Sequence, residues 1–306
     1  MSGSDDWLRH AAAAERLVSN RADLWLPGSL GAIGYLAWLP LVLTVAAVPR
    51  ASDIAFLGAR LASSGAFPWN LALIAILATL AVLLGCLLAS LAEAALLRAA
   101  GHGTPDRSLP RETEVIFSVL LVAMLPAVAV FAALASGIAA VAPAEFGAPD
   151  LGGPLLVRIA SHLVAPLVAM AVVVLVGQAF GAAALRRATG PQALLVGGAL
   201  RAGLRDLIEH PWPRLGVALV STLTDLLVLV IAIALLRVLW APIDVELAGG
   251  QLVSPQALLL LVGFVAIWLA LVLASGALHA WVSAWWSLEL AQVGAQVRPE
   301  AQEANP

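Results

Sequence analysis

One acidic residue stands in the middle of a long apolar stretch of the sequence. Asp225 lies 11 positions after Arg214 and 12 positions before Arg237. An aspartate at the centre of a bilayer costs roughly 2.5–3.5 kcal/mol to insert, so it should face other helices and have polar partners. Ser221 and Thr222 precede it by four and three residues and share its helical face. The pattern predicts a buried polar site around Asp225.

The candidate partners of Asp225 are polar residues at a similar depth in other apolar segments. At about 1.5 Å per helical residue, Asp225 lies about 16 Å from the predicted cytoplasmic end of its segment, Gln178 about 12 Å from Arg186 and His279 about 15 Å from Glu289. Ser90 and Glu93 lie somewhat shallower. We expect one polar layer of Asp225, Gln178 and His279, with Ser90 or Glu93 at its edge. Such a layer would bind a substrate or a proton, or would fix helix register through hydrogen bonds.

Sequence motifs of metal-dependent and nucleophilic enzymes are absent. There is no H-E-x-x-H, no G-x-S-x-G and no phosphate-binding P-loop. The five histidines are scattered, and none pairs at i, i+4 or with the single cysteine, Cys86. We therefore expect no catalytic residue, no metal site and no cofactor. Cys86 lies in an apolar run and is expected to be a small buried residue.

The composition indicates an integral membrane protein. Of 306 residues, 62% are hydrophobic and only 11% are charged, and the mean hydropathy is +0.98. Soluble domains are nearer half apolar and a quarter charged. The net charge is −3, and all 16 basic residues are arginines. These values exclude a soluble globular protein, a disordered chain and a nucleic-acid binder, and they make the lipid bilayer the expected partner. The arginine, alanine and leucine usage also favours a bacterial origin.

Six segments have the roughly 20 apolar residues that a membrane-spanning helix needs. They cover residues 27–48, 71–97, 115–141, 159–185, 215–236 and 257–288. The predicted fold is an all-α integral membrane protein of six transmembrane helices, arranged as three consecutive helical hairpins. An N-terminal arm, residues 1–26, precedes the membrane domain, residues 27–290, and a tail, residues 291–306, follows it. The N-terminal residues are acidic and polar and do not resemble a signal peptide.

The arginines predict the orientation. Twelve of them fall on the side of the N-terminal arm, the second and fourth loops and the tail, and four fall on the other side. The four are Arg50, Arg60, Arg158 and Arg237. Because arginine is enriched in cytoplasmic loops, both termini are predicted to lie in the cytoplasm, in a protein of the cell membrane.

Two segments on the arginine-rich side are predicted to be amphipathic helices, at residues 7–18 and 192–210. The shared apolar face of the second consists of Val196, Leu200, Leu204, Leu207 and Ile208. This spacing favours a helix that lies in the membrane interface, and the alternative is a docking helix for a cytoplasmic partner. On the other side, residues 244–255 with Gly249-Gly250 would form a small hairpin or an irregular loop.

Small residues at helical spacing predict close helix contacts. Gly177 and Gly181 lie in the fourth segment, and Gly276, Ala280 and Ala284 lie in the sixth. Small side chains let helix backbones approach closely in lipid, so these faces are expected to be packing seams within the chain or interfaces between copies.

A short internal repeat links the ends of two segments. Ala94-Ala95-Leu96 with Arg98 ends the second segment, and Ala183-Ala184-Leu185 with Arg187 ends the fourth, 89 residues later. The match supports consecutive hairpins that begin and end on the same side. Parallel repeats of this kind occur in transporters.

One loop and the overall layout of the sequence each resemble a known protein family. Glu93-Ala94-Ala95, Gly101 and Leu109-Pro110 loosely resemble the coupling loop of ABC importer permeases, without that family's spacing. The whole layout resembles the membrane domain attached to some glycerophosphodiester phosphodiesterases and its free-standing relatives. In this chain, the predicted interfacial helix leads into the fifth segment through His210-Pro211-Trp212-Pro213. The likeness implies a six-span fold and no catalytic residue, because the phosphodiesterase acids belong to a separate soluble domain.

Three functions are compatible with these features. The favoured one is a non-catalytic multi-pass membrane protein, an accessory or permease-like subunit of a membrane complex with other membrane subunits. The second is a transporter, or the membrane subunit of an ABC exporter with a cytoplasmic ATPase as partner. The third is a membrane enzyme that acts on lipid. Co-purification of an ATPase would favour the second, and lipid turnover by the purified protein would favour the third.

Overall fold

The computed structural model describes residues 3–35, 37–45, 60, 63–101, 108–147, 155–190, 194–248 and 254–303. Every regular element within these ranges is a helix, as the composition predicts. The α-helices are α1 (Gly3–Ser19), α2 (Trp25–Tyr35), α3 (Leu39–Val45), α4 (Trp69–Ala99), α5 (Leu109–Gly147), α6 (Leu155–His162), α7 (Val164–Thr189), α8 (Val196–Glu209), α9 (Pro211–Ala248) and α10 (Pro255–Glu303). A single 3₁₀ turn, Ala22–Leu24, precedes α2.

Five of these helices, α4, α5, α7, α9 and α10, are long and apolar enough to cross a membrane. The first predicted segment is bent, because α2 and α3 meet at an angle of 53°. The fourth, residues 159–185, is divided between α6 and α7 at Leu163. Pro40 lies in the first turn of α3, where it fits a helix start and disfavours helical backbone at the preceding residue. The number of candidate spans is therefore five, or six if the bent pair counts as one span.

Several predicted boundaries change in the structure. The helix predicted at 192–210 is α8, which begins at Val196, and residues 191–193 lie outside the described ranges. The prediction of a loop at 244–255 is wrong for residues 244–248, because α9 continues to Ala248. Pro242 inside α9 does not stop the helix, and the first strong helix breaker after it is Gly249.

Helices that are neighbours in sequence are also neighbours in space. α2 packs on α4, α4 on α5, α5 on α7, α7 on α9 and α9 on α10, and α10 returns to α2. The helices thus form a ring in chain order, which short connections favour. α10 also contacts α4 and α7 across the ring, so these three helices approach one another at its centre.

One end of the ring is closely packed, and we call it the arginine end. It comprises α1, α8, the last turns of α4 and α7 and the first turns of α5 and α9. The side chains of Val18, Leu24, Leu96, Val217 and Trp285 form one buried cluster there. Helix α1 packs against the middle of α10, where the Trp281 ring donates a hydrogen bond of 3.0 Å to the Ala11 carbonyl oxygen.

At the opposite end the helices separate into two groups. One group joins α3, α9 and α10 through an apolar cluster that includes Leu236 and Phe264. The other joins α5, α6 and the start of α7 through Leu134, Ile159 and Leu163. The two clusters at this end have no helix in common, whereas the two clusters at the arginine end both include side chains of α4, α7 and α8. Among the described residues, no buried cluster therefore joins the two groups.

The first half of α4 packs on neither group. Every residue from 71 to 84 is exposed on all sides of the helix. We call the space bounded by the two helix groups and this half of α4 the cleft.

Glycines bring α2 into close contact with α4 and α10. A Cβ atom on Gly34 would lie 2.8 Å from the Gly85 carbonyl oxygen, and one on Gly31 would lie 2.7 Å from the His279 ring. Gly28 meets the backbone of Gly276, which places the predicted small-residue face of α10 against α2. The other predicted face, Gly177 and Gly181, lies against Ala123 of α5.

We predict that Gly34→Ala destabilises the protein by about 1–3 kcal/mol, because its methyl group overpacks the α2–α4 contact. Thermal unfolding in detergent measures the effect. The matched control is Gly263→Ala on α10, where nothing lies within 4 Å of the added atom. That change should raise stability slightly through helix propensity. Equal stability of the two variants would contradict the close α2–α4 contact.

Candidate functional site

A group of polar side chains from three helices meets at the centre of the ring. We call it the central charge cluster, and it consists of Glu93 on α4, Arg186 on α7, and His279 and Ser283 on α10. Glu93 Oε1 lies 2.6 Å from Arg186 Nη2 and accepts a hydrogen bond of 2.8 Å from the Ser283 hydroxyl. Glu93 Oε2 lies 3.7 Å from His279 Nε2. Arg186 Nη2 also donates to the Ser283 hydroxyl oxygen, at 2.9 Å.

Both members of the ion pair are buried. The side chains of Glu93 and Arg186 are each 9% exposed. Breaking such a pair by removing one partner costs about 3–5 kcal/mol, because the remaining charge is left in an apolar surrounding. The pair therefore holds α4 to α7 across the ring, and Ser283 ties both to α10.

Local sequence places these four side chains. Glu93 and Arg186 lie within the last two turns of their helices, at the arginine end. His279 and Ser283 are four residues apart on α10 and share one face. Gly31 of α2 faces the His279 ring, and the absence of a side chain there leaves room for the imidazole.

Asp225 lies on the inward face of α9. Ser221, four residues before it, and Ala232, seven residues after it, are both buried. Asp225 itself is exposed. An inward side chain that is still exposed must face open space inside the ring. Asp225 therefore faces the cleft, beside the central charge cluster.

Gln178 and Ser90 have partners other than Asp225. The Thr222 hydroxyl donates a hydrogen bond of 2.6 Å to Gln178 Oε1, which joins α7 to α9. The Ser90 hydroxyl donates to the Cys86 carbonyl oxygen in its own helix, at 2.6 Å. Cys86 is buried beside Met124.

The arrangement differs from the predicted layer in its centre. The sequence predicts Asp225, Gln178 and His279 in the middle and Glu93 at the edge, whereas Glu93 has the most polar contacts in the structure. Arg186 lies one residue beyond the predicted fourth segment, and neither it nor Ser283 belongs to the predicted layer. The signal that points to Arg186 is Glu93 itself, since a charge in an apolar helix needs an opposite charge at the same depth.

A second group, which we call the peripheral charge cluster, also lies at the arginine end, and its Asp206 and Arg214 side chains are buried, at 3% and 1% exposure. It consists of His10, Arg187, Asp206, Arg214 and Glu289. Asp206 Oδ2 lies 2.7 Å from Arg214 Nε, and Arg187 lies 3.4 Å from the same carboxylate. The Glu289 carboxylate lies 2.7 Å from His10 Nδ1 and 3.8 Å from Arg214 Nη1, and so links these two residues. These pairs connect α1, α7, α8, α9 and α10, and they were not predicted.

The arginine end also holds a small pocket beside the central charge cluster. Its lining includes Ser283 and Ser287 of α10, Leu97 and Ala100 of α4, and Leu24 before α2. It has room for about one water molecule. Ser283 lines this pocket and also contacts Glu93, so the pocket adjoins the central charge cluster.

No known protein family, curated protein or solved structure matches this chain. Within the described ranges, no group of three or more His, Cys, Asp or Glu side chains has the geometry of a metal site.

We predict that Arg186→Met lowers the free energy of unfolding by about 3–5 kcal/mol, because it leaves the Glu93 carboxylate buried without its counter-charge. Adding Glu93→Gln to this variant should recover part of the loss. Unfolding of the purified protein in detergent measures both changes.

The matched control is Arg205→Met on α8. Its ion pair with Glu209, at 2.7 Å, lies on the surface. The hydrogen bond to Glu209 raises the pKa of Arg205, yet solvent screens an exposed pair of this kind. The control should unfold like the unmodified protein. A similar loss of stability in Arg186→Met and Arg205→Met would show that the buried Glu93–Arg186 pair contributes no more than an exposed pair.

Proposed function

We propose that this protein is a non-catalytic, permease-like subunit of a membrane complex. The observation that carries the proposal is the asymmetry of the bundle. Ion pairs and a large apolar core close the arginine end. The other end is divided into two helix groups that have separate cores. A bundle closed at one end and divided at the other has the form of a membrane protein that opens to one side at a time.

The surroundings of the cleft support this proposal. We infer that Asp225 and the Gln178–Thr222 pair lie at its floor, because Asp225 is exposed on the face of α9 that carries Ser221 and Thr222, and that the exposed apolar side chains of α4 line its wall. Polar groups inside a membrane bundle are typical of ion and substrate pathways. A transporter that acts without partner subunits is the second candidate, and the same cleft favours it.

The contacts of the central charge cluster favour a non-catalytic role. Both carboxylate oxygens of Glu93 are engaged, one by Arg186 and Ser283 and the other near His279. A carboxylate held in this way joins helices, and it is not directed at a bound reactant. Asp225 is the acid that faces open space.

The proposed orientation places the arginine end in the cytoplasm of the cell, from the twelve-to-four distribution of arginines. Single cysteines in a Cys86→Ser background test it. A cysteine replacing Gly65, in the turn before α4, should react with an impermeant thiol reagent in intact cells. One replacing Gly197 on α8 should react only after permeabilisation. Nothing lies within 4 Å of an added Cβ at either site. Labelling of Gly197→Cys in intact cells would reverse the orientation.

A water-filled cleft is the expected consequence of a permease-like function. Val82 precedes Glu93 by 11 residues, about three helical turns, and so lies on the inward face of α4. Leu84 lies on the opposite face, and both side chains are exposed to a similar extent, 54% and 57%. In the Cys86→Ser background, Val82→Cys should react with a charged thiol reagent much faster than Leu84→Cys, which faces lipid. Equally slow reaction of both would exclude a water-filled cleft and with it the permease-like function.

A further inference from the structure

The inward face of α9 is buried at both ends and open between them. Ala218 and Ser221 are buried on this face towards the arginine end, and Ala232 and Leu236 are buried on it towards the other end. All four lie within about 40° of Asp225 around the helix axis, at about 100° per residue. Asp225 lies between the two buried pairs and is nevertheless exposed. The packing of α9 therefore has a gap at the level of Asp225.

The gap has polar side chains from two helices beside it. Helix α9 contributes Asp225 and Thr222, which is three residues earlier on the same face. Helix α7 contributes Gln178, whose Oε1 accepts a hydrogen bond of 2.6 Å from the Thr222 hydroxyl. The Gln178 side chain is exposed, as Asp225 is. A carboxylate thus lies beside an amide and a hydroxyl at an open position inside the ring.

The carboxylate of Asp225 has no arginine partner. Among the described residues, Asp225 forms neither an ion pair nor a hydrogen bond. Arg186, on the same helix as Gln178, lies 2.6 Å from Glu93, and the two charges cancel each other. An ionised carboxylate inside a membrane bundle is costly without a counter-charge, and a bound cation would reduce this cost.

We propose that the cleft binds a lipophilic organic cation, whose positive charge lies at Asp225. This inference rests on the proposed permease-like function and deepens it by naming the class of substrate. Asp225 supplies the opposite charge, and the exposed apolar side chains of α4, such as Val82, supply a surface for the apolar part of the molecule. Small-molecule sites commonly combine apolar walls with a few polar groups in this way.

Charge and polarity exclude the other classes of small solute from this site. An anion would be repelled by Asp225, because no described arginine lies against this carboxylate to reverse its charge. A neutral apolar molecule would leave the carboxylate without a counter-charge. An inorganic cation would gain nothing from the apolar side chains of α4, and it would lose the water that hydrates it. The organic cation matches both the charge and the walls.

The test measures binding of tetraphenylphosphonium to the purified full chain in detergent by equilibrium dialysis, with protein-free micelles as the blank. Tetraphenylborate is nearly equal in size and shape and opposite in charge. The chain should bind tetraphenylphosphonium above the blank and should not bind tetraphenylborate. Asp225→Asn should weaken the binding at least about tenfold, because it removes the opposite charge, and Asp225→Glu should retain it.

A second measurement locates the bound cation. In the Cys86→Ser background, saturating tetraphenylphosphonium should slow the reaction of Val82→Cys with the charged thiol reagent several-fold. The reaction of Leu84→Cys, on the opposite face of α4, should keep its rate. An unchanged rate at Val82→Cys would place the bound cation outside the cleft and overturn the proposal.

Asp244→Asn is the matched control, because it removes an exposed acid from the same helix 19 residues further along. It should bind like the unmodified chain, and size-exclusion profiles establish that all variants are folded. Binding no higher than the blank, equal binding of the two probes, or full binding by folded Asp225→Asn would overturn the proposal. Fast labelling of Val82→Cys without any binding of tetraphenylphosphonium would overturn the class of substrate and leave the permease-like function standing.

Discussion

The ion pair between Glu93 and Arg186 is the contact on which the closed end of the bundle depends. Each residue alone would leave a charge in an apolar surrounding, so the two helices that carry them must meet at one depth and one rotation. Ser283 adds α10 to the pair through a hydrogen bond to the same carboxylate oxygen. The ring order of the remaining helices follows from this central junction and from the short connections between neighbours.

Close backbone contacts complete the same end. The glycines of α2 let it approach α4 and α10 more closely than side chains would allow, and the missing side chain at Gly31 leaves space for His279. Van der Waals packing of this kind is the main attraction between helices in lipid, where apolar side chains gain little by leaving the solvent. The opposite end lacks such contacts along the first half of α4, and this difference produces the cleft.

Several residues of the candidate site could be predicted from the sequence, but the contacts between them could not. Asp225, Glu93 and His279 are conspicuous because ionisable groups are costly inside apolar segments. Depth along the helices predicts Asp225 and His279 at one level, and no hydrogen bond or ion pair among the described residues joins them, so this pairing stays a prediction. Depth does not include helix rotation, which is why Gln178 is predicted beside Asp225, although its contact is with Thr222, three residues before Asp225 on the same face. Arg186 lies one residue beyond the predicted fourth segment, and its pairing with Glu93, 93 residues earlier, likewise depends on helix rotation.

The sequence by itself determined the all-helical class, the five long apolar helices and the need for polar partners inside them. These properties depend on local hydropathy and on the helical repeat, which neighbouring residues in the chain define. The break between α2 and α3, the ring order and the identity of each ionic partner were decided by the tertiary structure. A partner is selected by the relative depth and rotation of two helices, and these depend on the packing of the whole bundle.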